Sequence, residues 1–333
     1  MYFNQHYEEV FYPDEFEWSL LRLFVRSTYD LPMYLSSNSQ WLTNQIEQIH
    51  SRKVDITCTN GIPNEFTNIA FRAKSEKTSS RKLKIIAYAR PEPWKGMATV
   101  MRTVQILRKS VEVQIMFYGQ IDDYWKKIAT ELDFDYMENF TYENLIAEIQ
   151  DSDIMICGSW YESFPLPPLE GMFSGTPVLC SEAGTEEYAI NNQTALIYRA
   201  GDPEHAANLL HSIIEDKNLA LKLTTGAFEV ASRMTWKAAH QVRTTWLTEI
   251  SSPPTFRLSK LPLRLENSIT PPYELKNFSS YRVVRDKFGH VYLLHKGVAR
   301  HLHSSRDVEK AKVKHGVEIE DVSTDEMLDL WRI

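Results

Sequence analysis

Three cysteines in 333 residues are too few and too scattered for a disulfide framework. Cys58, Cys157 and Cys180 are odd in number and lack the paired spacing of a zinc site. Two of them fall in apolar, strand-like runs, so all three read as buried thiols of a reducing compartment. No apolar run approaches the roughly 20 residues that span a bilayer. The start, Met1-Tyr-Phe-Asn-Gln-His, has neither the charged nor the apolar region of a secretory signal. These absences predict a cytoplasmic protein, at most peripheral to a membrane. Basic residues are also in short supply: 37 Lys and Arg stand against 44 Asp and Glu, a net charge of −7. That argues against a nucleic-acid partner, whose phosphates call for clustered cations. It leaves room for a small anion, because one Arg and one Lys suffice for a diphosphate.

What is present is a folded chain, 43% hydrophobic and 24% charged. Its length predicts two domains with a small appendage. Residues 1–66 are rich in aromatics. An extended start through Tyr12 precedes a helix over Asp14–Tyr29, whose Phe16, Leu20, Leu21, Leu23, Phe24 and Val25 fit a buried helix. A short strand follows at Pro32-Met-Tyr-Leu-Ser, then a helix over Trp41–Ile49 and a turn at Asn60-Gly-Ile-Pro. Residues 67–82 are polar and basic and read as a linker.

From Leu83 the pattern becomes regular. Apolar runs at 83–89, 113–118, 154–157, 177–180 and 195–198 have strand length. Between them, Met97, Val100, Met101, Val104 and Leu107 share one helix face, as do Leu145, Ile146 and Ile149, and Ala206, Leu209, Leu210, Ile213 and Ile214. Strands alternating with helices predict a parallel sheet covered on both faces. Ligands of such sheets sit beyond the C-terminal strand ends, here just after residues 89, 118, 157 and 180. Prolines break the pattern over residues 251–278, a second linker. Residues 279–333 then predict a small separate β-rich module with strands at Tyr281–Val284, Val291–His295 and Ala299–His303, and a helix near Asp325–Trp331.

Two strand ends carry candidate chemistry. After the first comes Arg90-Pro-Glu-Pro-Trp-Lys95-Gly96. Arg90 can fork two phosphate oxygens, Lys95 adds a point charge, and the helix starting near Gly96 adds free N–H groups. A solvated charged loop is the plainer reading. After Ile154–Cys157 comes Glu162-Ser-Phe-Pro-Leu-Pro-Pro-Leu-Glu170. Pro168 suits the first position of a helix and Gly175 its C-terminal end, which puts Glu170 in the first turn. A carboxylate there can accept both hydroxyls of a ribose. Glu162 stands at the loop entrance, within reach of a hexose. The plainer reading is one surface Glu and one helix-stabilising Glu.

The order strand, Arg-x4-Lys-Gly, strand, strand-loop-Glu-x7-Glu, small-Gly-Thr-Pro-Val strand resembles the donor half of retaining GT-B glycosyltransferases. It is most similar to the group 1 family that holds sucrose synthases and mannosyl- and rhamnosyltransferases. Asp151-Ser-Asp153-Ile-Met-Ile, Ser181-Glu-Ala-Gly-Thr-Glu-Glu187-Tyr, Asn191-Asn-Gln-Thr194 and Gly201-Asp202-Pro203 follow in the same order. The match covers about 83–247. It extends weakly into Gln5-His-Tyr-Glu and Tyr34-Leu-Ser-Ser-Asn-Ser-Gln-Trp-Leu.

The resemblance implies an α/β fold with a GT-B-type Rossmann donor domain over 83–250, a reduced N-terminal α/β region and a C-terminal β-rich module. It also implies retaining transfer from a nucleotide-diphosphate sugar. Arg90 and Lys95 would hold the diphosphate and Glu170 the ribose. Glu162 would hold the sugar, together with the backbone of Ser163, Phe164, Pro165 and Leu166. Asn139 and Phe140 would lie against the base. Arg90, Lys95 and Glu162 would be catalytic, and no cofactor or metal would be required.

Two departures from the family stand out. Pro165 has no N–H to give the sugar. Only about 66 residues stand where an ordinary acceptor domain of roughly 150 is expected, so the His or Asp groups that domain brings to the cleft are missing. The acceptor side is therefore expected to be reduced, completed by a partner subunit or a second copy, or cut short in a fragment. A catalytically silent, nucleotide-binding subunit is the competing reading. Asp151-x-Asp153 lies at a helix-to-strand boundary and His290, His295, His301 and His303 lack partner carboxylates, so neither is taken as a metal site. Arg257–Arg264 is interrupted by Pro262 and reads as linker rather than a membrane helix.

Overall fold

The computed structural model describes residues 2–8, 19–50, 52–69, 71, 82–182, 184–250, 281–295, 298–302 and 304–330. The extended start beyond residue 8, most of the first linker and the whole of the second fall outside them.

The apolar runs after Leu83 form strands because each is buried on both faces. They are β4 (Leu83–Ala89), β5 (Val113–Gly119), β7 (Ile154–Ile156), β8 (Val178–Ser181) and β9 (Leu196–Tyr198). A strand the hydrophobic pattern does not announce, β6 (Asp135–Met137), sits at the edge, where Asp135 and Tyr136 are exposed. All pairings are parallel, and the sheet order is β6-β5-β4-β7-β8-β9. The chain runs outward from β4 to β6, then returns to the other side of β4 with β7. The order therefore reverses between β4 and β7, where such a sheet opens a crevice at its C-terminal edge.

Helices cover both faces. Ile85, Ala87, Ile115 and Phe117 meet α4 (Met97–Leu107), α5 (Asp123–Glu131) and α8 (Pro203–Glu215) in one core. Ile86, Met155, Val178 and Cys180 meet α6 (Tyr142–Asp151), α7 (Leu166–Phe173) and α9 (Lys217–Ala231) in the other. Asp151 and Asp153 punctuate the entry to β7. Asp153 accepts the Lys84 N–H at 2.8 Å, and Asp151 pairs with the Lys84 ammonium at 2.6 Å. The three cysteines are free and buried.

The N-terminal region is a three-stranded parallel sheet, β1 (Tyr2–Asn4), β2 (Leu35–Ser37) and β3 (Ile56–Thr57), with α1 (Ser19–Thr28) and α2 (Gln40–His50). Its core is Tyr7, Tyr29, Leu35, Leu42 and Ile46. The expectation that α1 is buried is corrected: Leu20 is 68% and Phe24 70% exposed, and Leu21 and Leu23 are also open. So small a sheet covers only one side of the helix, the one that carries Val25 into this core.

Packing divides the chain differently from composition. Ile62 and α3 (Asn64–Thr67) with its Phe66 belong to the core of the large sheet. The helix that follows α9, α10 (Trp236–Glu249), instead returns to the N-terminal sheet. There the Cys58 thiol donates to the Ala239 carbonyl at 3.2 Å, Arg243 covers the Phe3 ring at 4.3 Å, and Trp246 meets Tyr34 edge-on. The chain thus crosses between the halves near residues 59–61 and again near 234–236. The two crossings are bonded to each other, since Ile62 N–H donates to the Met234 carbonyl at 3.0 Å and Ile62 bridges Thr235. Gly61 is needed there: a Cβ would lie 2.0 Å from the Trp236 nitrogen.

The C-terminal sheet is present but packs on the large sheet's helices, and the helix expected near Asp325–Trp331 is there as well. Its order is β12 (Val298–His301), β11 (Val291–His295), β10 (Arg282–Asp286), β13 (Ile319–Val322). It also carries α11 (Ser305–His315) and α12 (Thr324–Leu330). Val284, Tyr292, Leu294, Val322, Met327 and Leu328 enter the same core as α4 and α5. Arg102 of α4 pairs with Asp329 at 3.2 Å, and Glu131 of α5 accepts from Thr324. His303 lies outside the described residues. His290 is tied to Asp286 at 3.2 Å.

Candidate active site

The crevice is built from the segments that leave β4 and β7. After β4, a 3-10 turn (Pro93–Lys95) ends at Gly96, whose φ of 67° is left-handed. After β7, a loop over 158–165 leads into α7. The two touch backbone to backbone. A Cβ on Gly96 would lie 1.8 Å from the Gly158 oxygen, and one on Gly158 2.6 Å from the Gly96 oxygen. Only glycine allows this approach.

The contact brings Lys95 and Glu162 together, 67 residues apart in sequence. The Lys95 ammonium pairs with Glu162 Oε1, which also accepts from the Ser159 hydroxyl at 2.9 Å. The two side chains are 20% and 14% exposed. Arg90 leaves the same strand end as Lys95, half-buried, with its guanidinium held by Glu92 at 3.0 Å. That hydrogen bond raises the Arg90 pKa further. Burial alone would raise Glu92, yet bonding to Arg90 holds it below the usual carboxylate range.

Glu170 is deeper than the sequence indicates. The helix begins at Leu166, with Pro165 as N-cap and Pro167 and Pro168 inside the first turn. No acid stands in that first turn, so Glu170 falls in the second. It is 8% exposed, and Oε2 accepts from the Tyr118 hydroxyl at 2.7 Å. Burial pushes its pKa up to about 7, against the opposing pull of that hydrogen bond. Tyr118 also meets Tyr88 at 5.4 Å and Phe140 edge-on at 5.7 Å. Phe140 is thereby brought to the Glu170 end of the crevice. Asn139, before it, is exposed and left-handed, with φ 53°.

The rest of the 163–166 segment faces inward. The Ser163 hydroxyl donates to the Gln5 carbonyl and accepts from Asn38 Nδ2 at 3.0 Å. Phe164 packs edge-on against Tyr188, whose hydroxyl donates to the Pro165 carbonyl at 2.6 Å. Leu166 is half-buried at the helix start. Nearby, the Gln40 N–H donates to Glu187. The loop is therefore the seam between the two halves.

That seam brings in residues the motif reading missed. His6, just past β1, lies close enough for the charges of Glu162 and Lys95 to act on it. Burial is the larger influence and lowers its pKa, keeping the imidazole neutral near pH 7. The N-terminal region was expected to bring no such group to the cleft; it brings this one. Tyr118 and Ser159 were also missed. Each stands within three residues of a strand end or of a singled-out acid, which is the signal that could have found them.

A doubly wound parallel sheet with helices on both faces and a crevice at its switch point is the fold of a GT-B-type domain. The comparisons agree. Residues 69–230 match the family described as glycosyl transferases group 1, so the resemblance read from the motifs is borne out over that segment. A D-inositol 3-phosphate glycosyltransferase of Corynebacterium efficiens is 25% identical over 170 residues, 46% of this chain and 40% of its own. An MMP alpha-(1->4)-mannosyltransferase of Mycolicibacterium hassiacum is 32% identical over 108 residues, 30% of this chain and 26% of its own. The chain thus spans less than half the length of these relatives. Two solved structures share the fold. Sucrose-phosphate synthase of Thermosynechococcus elongatus has a TM-score of 0.61 at 17% identity, covering 74% of this chain and 66% of its own. Anabaena HepE with UDP and glucose has a TM-score of 0.59 at 17% identity, covering 75% and 71%.

Proposed function

We propose that this chain is a retaining glycosyltransferase that moves a sugar from a nucleotide-diphosphate donor to an acceptor hydroxyl. The observation that carries the reading is the meeting of Lys95 and Glu162 at the two strand ends that flank the switch point. In this reading the diphosphate takes Lys95 and Arg90 from their carboxylate partners, and released Glu162 accepts a hydroxyl of the sugar. Glu170 accepts the ribose hydroxyls, and Asn139 and Phe140 border the base. The bond from the anomeric carbon to the diphosphate oxygen breaks, and the acceptor oxygen bonds to that carbon on the same face. The acceptor's proton passes to the departing phosphate oxygen, whose charge Lys95 and Arg90 stabilise.

Two cations aimed at the leaving group support a reaction that needs no metal. In this reading the N-terminal sheet, with α10 packed on it, provides the acceptor-side wall, and a partner subunit or second copy supplies any further wall.

The test is release of nucleoside diphosphate from a panel of nucleotide sugars by the purified chain. UDP sugars come first, because HepE has been solved with UDP-glucose. Turnover should survive EDTA and be abolished in Glu162→Ala. Failure of the chain to bind any nucleotide of the panel by calorimetry sinks the reading.

A further inference from the structure

Each of the two crevice loops carries an aromatic residue directly before its charged one: Trp94 before Lys95, and Tyr161 before Glu162. The rings stack, with centroids 6.3 Å apart and planes 20° apart. His6 meets Tyr161 edge-on at 5.8 Å, and Trp41 of α2 meets His6 edge-on at 6.2 Å. The row therefore leads from the Lys95–Glu162 pair into the N-terminal half. All four rings are half-buried, where a core cluster would be closed.

We propose that Trp94, Tyr161, His6 and Trp41 form the acceptor subsite, and that its ligand is a pyranose ring. This rests on the donor reading above. The C–H face of a pyranose is flat, apolar and slightly positive, which suits the negative face of an aromatic ring. Its rim of hydroxyls needs a polar neighbour, and here this is the Tyr161 hydroxyl, while His6 adds its ring to the row. Burial, with Glu162 adding to it, pushes that hydroxyl up to about 12, so it stays a neutral donor. Because Trp94 and Tyr161 each adjoin a donor-site residue along the chain, a sugar on the row lies next to the donor's sugar. A lipid chain would find too many polar groups here, and an anionic acceptor would face Glu162.

The test uses the full chain, methyl α-glucopyranoside and methyl α-mannopyranoside as acceptor probes in saturation-transfer NMR, and UDP in calorimetry. Saturation should reach the ring C–H protons of a glycoside. Trp94→Leu and Tyr161→Leu should weaken its binding about tenfold, the equivalent of one lost aromatic contact. Their UDP affinity should stay within about twofold, and Tyr161→Phe, which keeps the ring and loses only the hydroxyl contact, should weaken glycoside binding less than Tyr161→Leu does. Wild-type protein that binds UDP but neither glycoside overturns the subsite, as do leucine variants that bind as tightly as wild type. Leucine variants that lose UDP and glycoside together also overturn it, because the rings then only brace the loops. Where a leucine variant fails to fold, the wild type decides: bound glycoside must shift indole emission, and unchanged emission overturns the site. Glycoside binding without any nucleotide binding overturns the proposed function, and the acceptor role with it.

Discussion

Glu170 and Glu162 are both carboxylates at one crevice, yet their surroundings set them apart. Glu170 is buried against Tyr118, and its pKa is pushed up to about 7. The folded protein therefore holds a proton there that the unfolded chain has released, so stability falls as pH rises from the ordinary carboxylate value to about 7. The proposed ribose recognition would run the other way, since only the carboxylate accepts two hydroxyls. Nucleotide affinity should rise as pH climbs from about 6 to about 8, and Glu170→Gln should flatten that rise and weaken binding about tenfold. Calorimetric titration across that range checks both. A pH-independent wild type would show that Glu170 does not face the ribose. Glu162 stands instead against Lys95 and Ser159. Glu162→Gln keeps its size but not its charge. It should lower turnover about 10²-fold or more while nucleotide binding persists, which separates a role in the reaction from one in holding the donor.

At the scale of elements, the crevice depends on two loops meeting through Gly96 and Gly158. Gly158→Ala should cost at least about 2 kcal/mol and separate Lys95 from Glu162, read as a lower midpoint in urea and a loss of turnover. Normal stability with full turnover would contradict the contact.

The strands that build this frame were legible because Leu83–Ala89 and its partners are continuous apolar runs. β6 was not, because Asp135 and Tyr136 are exposed at the edge. α11 was not, because six of the eleven residues of Ser305–His315 are charged and only Ala311 is buried. Glu170 was recognised but placed in the wrong turn, since Pro167 and Pro168 both suit a helix start and the capping residue is Pro165. His6 was invisible as a site residue, because nothing within one segment tells that it will lie across a seam 156 residues from Glu162.

For the whole molecule, the C-terminal sheet matters as core rather than appendage. Removing everything after residue 280 would uncover α4 and α5 where Val284, Tyr292, Leu294, Val322, Met327 and Leu328 pack. At about 1.5–3 kcal/mol for each buried side chain, that loss rivals the stability of a typical domain. The truncated chain should be insoluble or unfold at much lower temperature by circular dichroism. An equally stable truncation would show that the sheet is an accessory.

The paired crossings at Gly61 and Thr235 give the molecule its mechanics. Two strands of chain pinned at one spot act as a single pivot, and the bonds from Ser163 to Gln5 and Asn38 lie across the cleft as its latch. Swinging the halves apart about that pivot would draw His6 and Trp41 away from Tyr161 while the chain stays continuous there. One rotation would thus part these rings and release the 158–165 loop in the same stroke.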